Sequence, residues 1–270
     1  MKITPNIRLK NTFVTHYWRA TRNVLAINHK VIIDAVENIN PERLTNYVDF
    51  LLFDNDSLKS MNENILSIWE KVGGRYGYDT EMFIANNKNK KATNRWQSVE
   101  TWNEPVGYSR WKNWMREYAS ERSLQKSKAI MTTEQEYINK IITDVVKEAN
   151  SGDVWLSIAD TKKLLKERLA KELVIIEDYQ AERIAITEVN GAANRGAFES
   201  AKENSEGVMK EWMTTGMPNV RESHLAHESL GPQEMDFEYN TGLKFPGDDE
   251  CDIPEEVINC HCTYTLDTVQ

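Results

Sequence analysis

The sequence predicts a mostly α-helical protein: an N-terminal helical region over 1–130, a helical segment over 131–205 and a small irregular α+β domain over 206–270. Three observations predict it. Apolar residues recur at three- and four-residue spacing along most of the first two hundred positions. That period fails after Gly207, where short runs alternate with Gly, Pro, Asn and Asp. All three cysteines, Cys251, Cys260 and Cys262, fall in this last stretch, where a small region needs more than an apolar core to hold its shape. Apolar residues at 40% and charged residues at 28% suit a folded chain rather than a disordered one.

Ile32, Ile33, Val36 and Ile39 share a helical stripe, Asn40-Pro41 breaks it, and Pro41 suits the first turn of a helix carrying Leu44, Val48, Leu51 and Leu52. Leu58, Met61, Ile65 and Ile68 continue the period, and Gly73-Gly74 is expected to end it. Thr133 and Glu136 have the spacing of a capping box ahead of Ile138, Ile141, Ile142, Val145 and Val146, and Asn150-Ser151-Gly152 is a stop. A second helix carries Ile158, Leu164, Leu165 and Leu169, and a third runs from about Glu177 to Ala201. On the third, Arg183, Thr187, Asn190 and Asn194 form one polar stripe beside the small residues Gly191, Ala192, Ala193, Gly196 and Ala197. Such a face packs closely against a partner that supplies hydrogen bonds, and the C-terminal tail is the expected partner. In that tail Val208–Met213 reads as a strand, and 257–266 as a last strand broken by the cysteine pair.

The formal net charge of −9 is unevenly spread: residues 1–130 hold 20 basic and 14 acidic side chains, and residues 206–270 hold 3 and 14. Segment 86–128, with 10 basic and 4 acidic residues, carries the positive excess. There Lys88, Lys90, Lys91, Arg95, Arg110, Lys112 and Arg116 interleave with Trp96, Trp102, Tyr108, Trp111, Trp114 and Tyr118. Cations beside rings are what a nonspecific duplex-DNA surface requires; equally, the tryptophans are core and the lysines a solvated face. No run approaches the roughly 18 apolar residues that span a bilayer, and the N-terminus lacks a signal-peptide core, so no membrane is expected and the chain is expected to stay in the cytoplasm where it is made.

His224, His227, Cys251, Cys260 and Cys262 are candidate ligands for a structural zinc ion, which favours four nitrogen and sulfur donors. Cys-x-Cys is tighter than the usual finger spacing, and buried thiols with a His224 bonded to the backbone are the competing reading. His224-x-x-His227-Glu228 lacks the spacing of the zinc-protease motif. Arg183, Thr187, Glu188 and Arg221 read as a buried clamp of ion pairs and hydrogen bonds between helix and tail, and otherwise as a site for an anionic substrate. No glycine-rich phosphate loop and no Ser/His/Asp order is present in the sequence.

Arg183-Ile-Ala-Ile-Thr187-Glu188, Lys210-Glu-Trp212, Asn219-Val-Arg221-Glu-Ser-His224, Phe245-Pro-Gly-Asp248 and Asn259-Cys-His-Cys262 follow one another in order. In that order they resemble the Mu F-like head morphogenesis family, over about residues 130–270. His261 stands where that family usually has Arg, and Asn219 where Asp is common. The resemblance implies a minor head protein of a tailed bacteriophage, located in the virion at the head interior or portal vertex. Its implied partners are the portal protein and the major capsid or scaffolding protein, with packaged DNA nearby, and it implies no enzymatic activity. Two alternatives come from other classes: a metal-dependent nuclease or hydrolase built on the His/Cys/Glu tail, and a phage-encoded effector. The effector is expected to carry a further domain after Cys-x-Cys, whereas eight residues follow Cys262.

Overall fold

A computed structural model describes residues 2–3, 7–88, 103–151, 156–204 and 207–268. The fold is predominantly helical with a small C-terminal sheet. In chain order the elements are β1 (Lys2–Ile3), α1 (Ile7–Asn38), α2 (Pro41–Leu52), α3 (Asn55–Ile68), a π-helical turn (Trp69–Gly73), α4 (Gly74–Lys88), α5 (Tyr108–Ser151), α6 (Ile158–Asn204), β2 (Val208–Met213), α7 (Glu222–Ser229), β3 (Gln233–Glu234), α8 (Pro254–Val257) and β4 (Thr263–Thr268). The strands form one sheet in the order β1-β4-β2-β3, every pairing antiparallel, with Lys210 opposite Leu266 and Trp212 opposite Tyr264.

The break at Asn40-Pro41 is as expected: the Asn40 side chain accepts from the Glu42 N–H and Pro41 occupies the first helical turn. Four other boundaries differ. Gly73-Gly74 does not end a helix, because here glycine serves close approach: a Cβ on Gly196 would strike the Gly73 carbonyl and one on Gly73 would strike Met115. The π-helical turn at Trp69–Gly73 absorbs one extra residue and the helix continues. Thr133 does not start a helix either. Its hydroxyl donates to the Ala129 carbonyl inside α5, which no Gly or Pro interrupts between 108 and 151. The second and third helices of the middle segment likewise merge into α6. The last strand begins at Thr263, after the cysteine pair rather than around it.

The chain divides into two compact units, each discontinuous in sequence: residues 1–18, 66–120 and 183–270, and residues 19–65 and 121–182. The second is a helical bundle around Ile32, Val36, Leu44, Val48, Leu52, Met131, Ile138, Ile142, Val145, Leu165, Leu169 and Leu173. Its core also contains His29, which sits between Glu134 and Glu177, all three buried. The first unit holds the sheet and buries Trp69, Tyr76, Trp111, Phe198, Trp212, Phe245 and Tyr264. No described helix is long and apolar enough to cross a membrane.

Candidate metal centre

The polar stripe on α6 meets the C-terminal tail. Thr187 Oγ1 accepts from the Asn259 N–H at 2.9 Å, and Asn194 Nδ2 donates to the Pro246 carbonyl at 2.7 Å and the Cys262 carbonyl at 3.3 Å. Thr263 Oγ1 donates to Asn194 Oδ1 and Tyr264 Oη to the Asn194 carbonyl. These bonds fix the backbone on both sides of Cys260 and Cys262, including Asn259 with its left-handed φ of 56°. The small residues beside the stripe permit the approach: Gly191 lies so close to the Gly247 carbonyl that a Cβ would sit 3.0 Å from it.

Against this backbone stands α7. His224 Nδ1 lies 3.4 Å from Cys262 Sγ and 3.8 Å from Cys260 Sγ, and one ligand atom from each of the three lies within 4.8 Å of the others. All three residues are buried, with the Trp212 ring 5.0 Å from that of His224. The far side of the imidazole faces Glu256, whose Oε2 is 2.9 Å from Nε2 without hydrogen-bond geometry. For zinc bound tetrahedrally with ordinary bond lengths, the nitrogen–sulfur and sulfur–sulfur edges are about 3.6 Å and about 3.8 Å. The two nitrogen–sulfur separations lie close to the nitrogen–sulfur edge and all three donors fall within 4.8 Å of one another, so the donor set fits the ion. Glu256 then has the place of the carboxylate that commonly orients a ligating histidine.

The electrostatics favour anionic sulfur on one side of the pair. Its hydrogen bond with Cys262 holds the Cys260 thiol below its usual range against the effect of burial, and Lys10 and Arg221 act in the same direction. The same bond, together with burial, pushes the Cys262 thiol up. The pair therefore gives up its first proton readily and its second reluctantly, until a cation takes the second proton's place.

Of five sequence-predicted ligands the structure gathers three. His227 instead shares a hydrogen bond with Thr241 Oγ1 at 2.9 Å, and burial, with His224 nearby, lowers its pKa to about 4. Cys251 Sγ donates to the Thr241 carbonyl, and burial raises its pKa. The competing reading of a His224 bonded to backbone does not hold, because its Nδ1 faces sulfur and its Nε2 faces a carboxylate. The expectation of a chain without enzymatic chemistry is corrected by the same finding: a buried His–Cys–Cys cluster at zinc-like separations is a potential catalytic or metal-binding site.

The predicted clamp residues are divided among different jobs. Thr187 holds Asn259 as described, half-buried Arg221 donates to the Ile258 carbonyl at 2.7 Å, and buried Glu188 accepts from Trp69 Nε1 at 2.6 Å. Arg183 is half-buried on α6. Among the described residues, Arg195 makes an ionic link between α6 and the tail that sequence reasoning did not single out. Arg195 Nη2 lies 2.7 Å from Asp248 Oδ1 and 3.3 Å from Asp249 Oδ1, Nη1 lies 3.1 Å from Glu199, and the Tyr118 and Phe245 rings flank the guanidinium. Asp248 ends the Phe-Pro-Gly-Asp segment and also accepts from the Lys244 and Glu250 N–H groups.

Of the predicted DNA-facing cations, Lys90, Lys91 and Arg95, with Trp96 and Trp102, lie outside the described residues, as does the Lys88 side chain. Arg110 pairs with Glu81 and Glu203, Lys112 with Glu70 and Glu104, and Arg116 with Glu70. Trp111 and Tyr108 are core, and Trp114 stacks on Tyr118. The sequence matches no protein-family model, and neither a curated protein nor a solved structure matches it.

Proposed function

We propose that the protein is a zinc-dependent hydrolase, of the nuclease or related ester-cleaving kind, working from the His224–Cys260–Cys262 centre. The observation that carries this reading is the number of ligands. Three protein donors lie within 4.8 Å of one another, and among the described residues no fourth histidine, cysteine or carboxylate joins them. Three ligands with one open position is the pattern of catalytic rather than structural zinc sites. Zinc at such a site supplies a Lewis acid for a substrate oxygen and makes a bound water more acidic. Of the chain's own groups, Glu256 faces the far edge of His224, and Thr187 and Asn194 hold the backbone that carries the cysteines. Zinc-loaded protein is expected to hydrolyse single- or double-stranded nucleic acid or a small phosphodiester reporter, and Cys262→Ser is expected to lose metal and hydrolysis together. Loaded protein that cleaves none of them contradicts the hydrolytic part while leaving the metal site standing.

A second reading has its own support. The five segments that resemble the Mu F-like family, spread from Arg183 to Cys262, all belong to one compact unit. Three of them, the Thr187 helix, the Phe245-Pro-Gly-Asp248 loop and Asn259-Cys-His-Cys262, are bonded together through Thr187, Asn194 and Arg195. In this reading the unit serves head assembly of a tailed phage, meets the portal and the capsid or scaffolding protein, and lies near packaged DNA. Mass spectrometry of purified particles is its test: the chain is expected in mature heads or assembly intermediates, and absence from both defeats it.

A further inference from the structure

The outer side of α7 is an apolar face set among carboxylates. His224 and His227 turn inward onto the Trp212 ring, which leaves Glu222, Leu225 and Ala226 on the solvent side. α8 lies alongside: Arg221, at the start of α7, donates to the Ile258 carbonyl at 2.7 Å, and Ser223 Oγ donates to Glu256 Oε2 at 2.9 Å. Leu225 follows Arg221 by one helical turn, Ile253 and Ile258 stand at the two ends of α8, and Met217 opens the turn that leads into α7. Their side chains are exposed, Met217 and Leu225 at 48%, Ile253 at 43% and Ile258 at 37%. Apolar residues exposed singly are ordinary on a protein surface, whereas a group of them around one seam and rimmed by polar groups marks a docking site.

The charge around this seam has one sign. Arg221 is the only Lys or Arg between Lys210 and Lys244, and none follows Lys244. Its guanidinium is committed to the Ile258 carbonyl. Glu222, Asp252 and Glu255 are exposed there, and among the described residues none of them forms an ion pair. Such a field repels nucleic acid and anionic membranes. A second copy docked about a twofold axis would set the same carboxylates against one another.

We propose that the α7–α8 face docks a basic amphipathic helix of another protein. Its apolar stripe covers Leu225, Met217, Ile253 and Ile258, and the Lys and Arg residues beside that stripe pair with Glu222, Asp252 and Glu255. The apolar contact supplies affinity, and the carboxylates supply orientation and choice of partner. None of these side chains belongs to the His224–Cys260–Cys262 cluster, so the surface is separate from the metal reading.

The probe is a fluorescein-labelled helical peptide of Leu and Lys with its leucines on one face. Titrated with the full-length protein, its anisotropy is expected to rise saturably at one peptide per chain, with affinity weakening as salt is added. Leu225→Ser with Ile258→Ser should lower affinity about tenfold, as truncation of central anchors does. Glu222→Lys with Glu255→Lys should lower it by a similar factor and turn the preference toward a peptide of Leu and Glu. These two exposed positions keep the test open where Ile258→Ser disturbs the fold. Ile175→Ser, which removes an apolar side chain exposed at 67% on the bundle unit, should leave affinity unchanged. Absence of binding overturns the proposal, as does equal binding of a peptide of the same composition with its leucines scattered around the helix. Equal affinity in the wild type and both double variants overturns it too. So do wild-type dimers in sedimentation that Leu225→Ser with Ile258→Ser dissociates, because the face then meets a second copy.

Discussion

The bundle unit carries a pH dependence whose sign follows from His29. The imidazole lies between buried carboxylates from two other helices, with Nδ1 2.8 Å from Glu177 Oε1 on α6 and Nε2 bonded to Glu134 Oε2 on α5. Burial disfavours its charged form, but the hydrogen bonds to Glu134 and Glu177 outweigh burial and raise the pKa from 6.5 to about 9. A group whose pKa is raised on folding stabilises the fold fully below its unfolded value and loses that contribution as pH climbs through its folded value. The window therefore runs from pH 6.5 to about 9. At about 1.4 kcal/mol for each pH unit, the stability lost across it is about 3 kcal/mol. Urea unfolding followed by circular dichroism at about pH 6 and at about pH 9.5 should show that loss in the wild type. His29→Gln should be less stable at the lower pH and nearly insensitive to pH across the window. A wild-type stability that is flat from pH 6.5 to 9, or a His29→Gln protein with the same slope as the wild type, refutes the reasoning.

Other expectations follow from single contacts. Arg195→Met strands Asp248 and Asp249 beside α6 and should cost about 4 kcal/mol in urea unfolding, with the 245–250 loop becoming open to protease; a cost below about 1 kcal/mol would show that the pair is not the link we describe. Gly196→Ala drives a methyl group into the Gly73 carbonyl and should cost about 3 kcal/mol, whereas a neutral effect on the melting temperature would contradict the close helix crossing. Duplex-DNA binding, if it depends on Lys88, Lys90 and Lys91, should fall with salt with a log–log slope of about −3, and replacing the three together should abolish the slope. Affinity independent of salt, or none at low salt, rules out a phosphate-tracking surface.

Much of the fold was legible because helix period and proline punctuation are local. Asn40-Pro41 broke the chain where expected, and the Thr187–Asn190–Asn194 stripe announced a polar partner that proved to be the tail. The errors at Gly73-Gly74 and Thr133 share one cause. A glycine pair and a Thr-x-x-Glu spacing have two uses each, and only tertiary contact decides between stopping a helix and packing or continuing it. The site was half legible. Cys260-x-Cys262 and His224 were visible as donors, but whether His227 or Cys251 would join them depended on where α7 and the 239–251 loop placed those side chains. Lys10 and Arg195 were missed because their partners lie 180 and 53 residues away. For Lys10 one signal was present: with Phe13 and Tyr17 it shares a stripe that is otherwise buried and apolar, an unusual place for a lysine.

Every role proposed for the His224–Cys260–Cys262 cluster depends on its holding a metal ion. Elemental analysis of freshly purified full-length protein tests it most directly. About one zinc per chain is expected, dropping to near zero in Cys260→Ser and in His224→Ala, while Cys251→Ser and His227→Ala retain it. Wild-type protein that folds normally, contains no zinc and takes up none when zinc is supplied contradicts the claim.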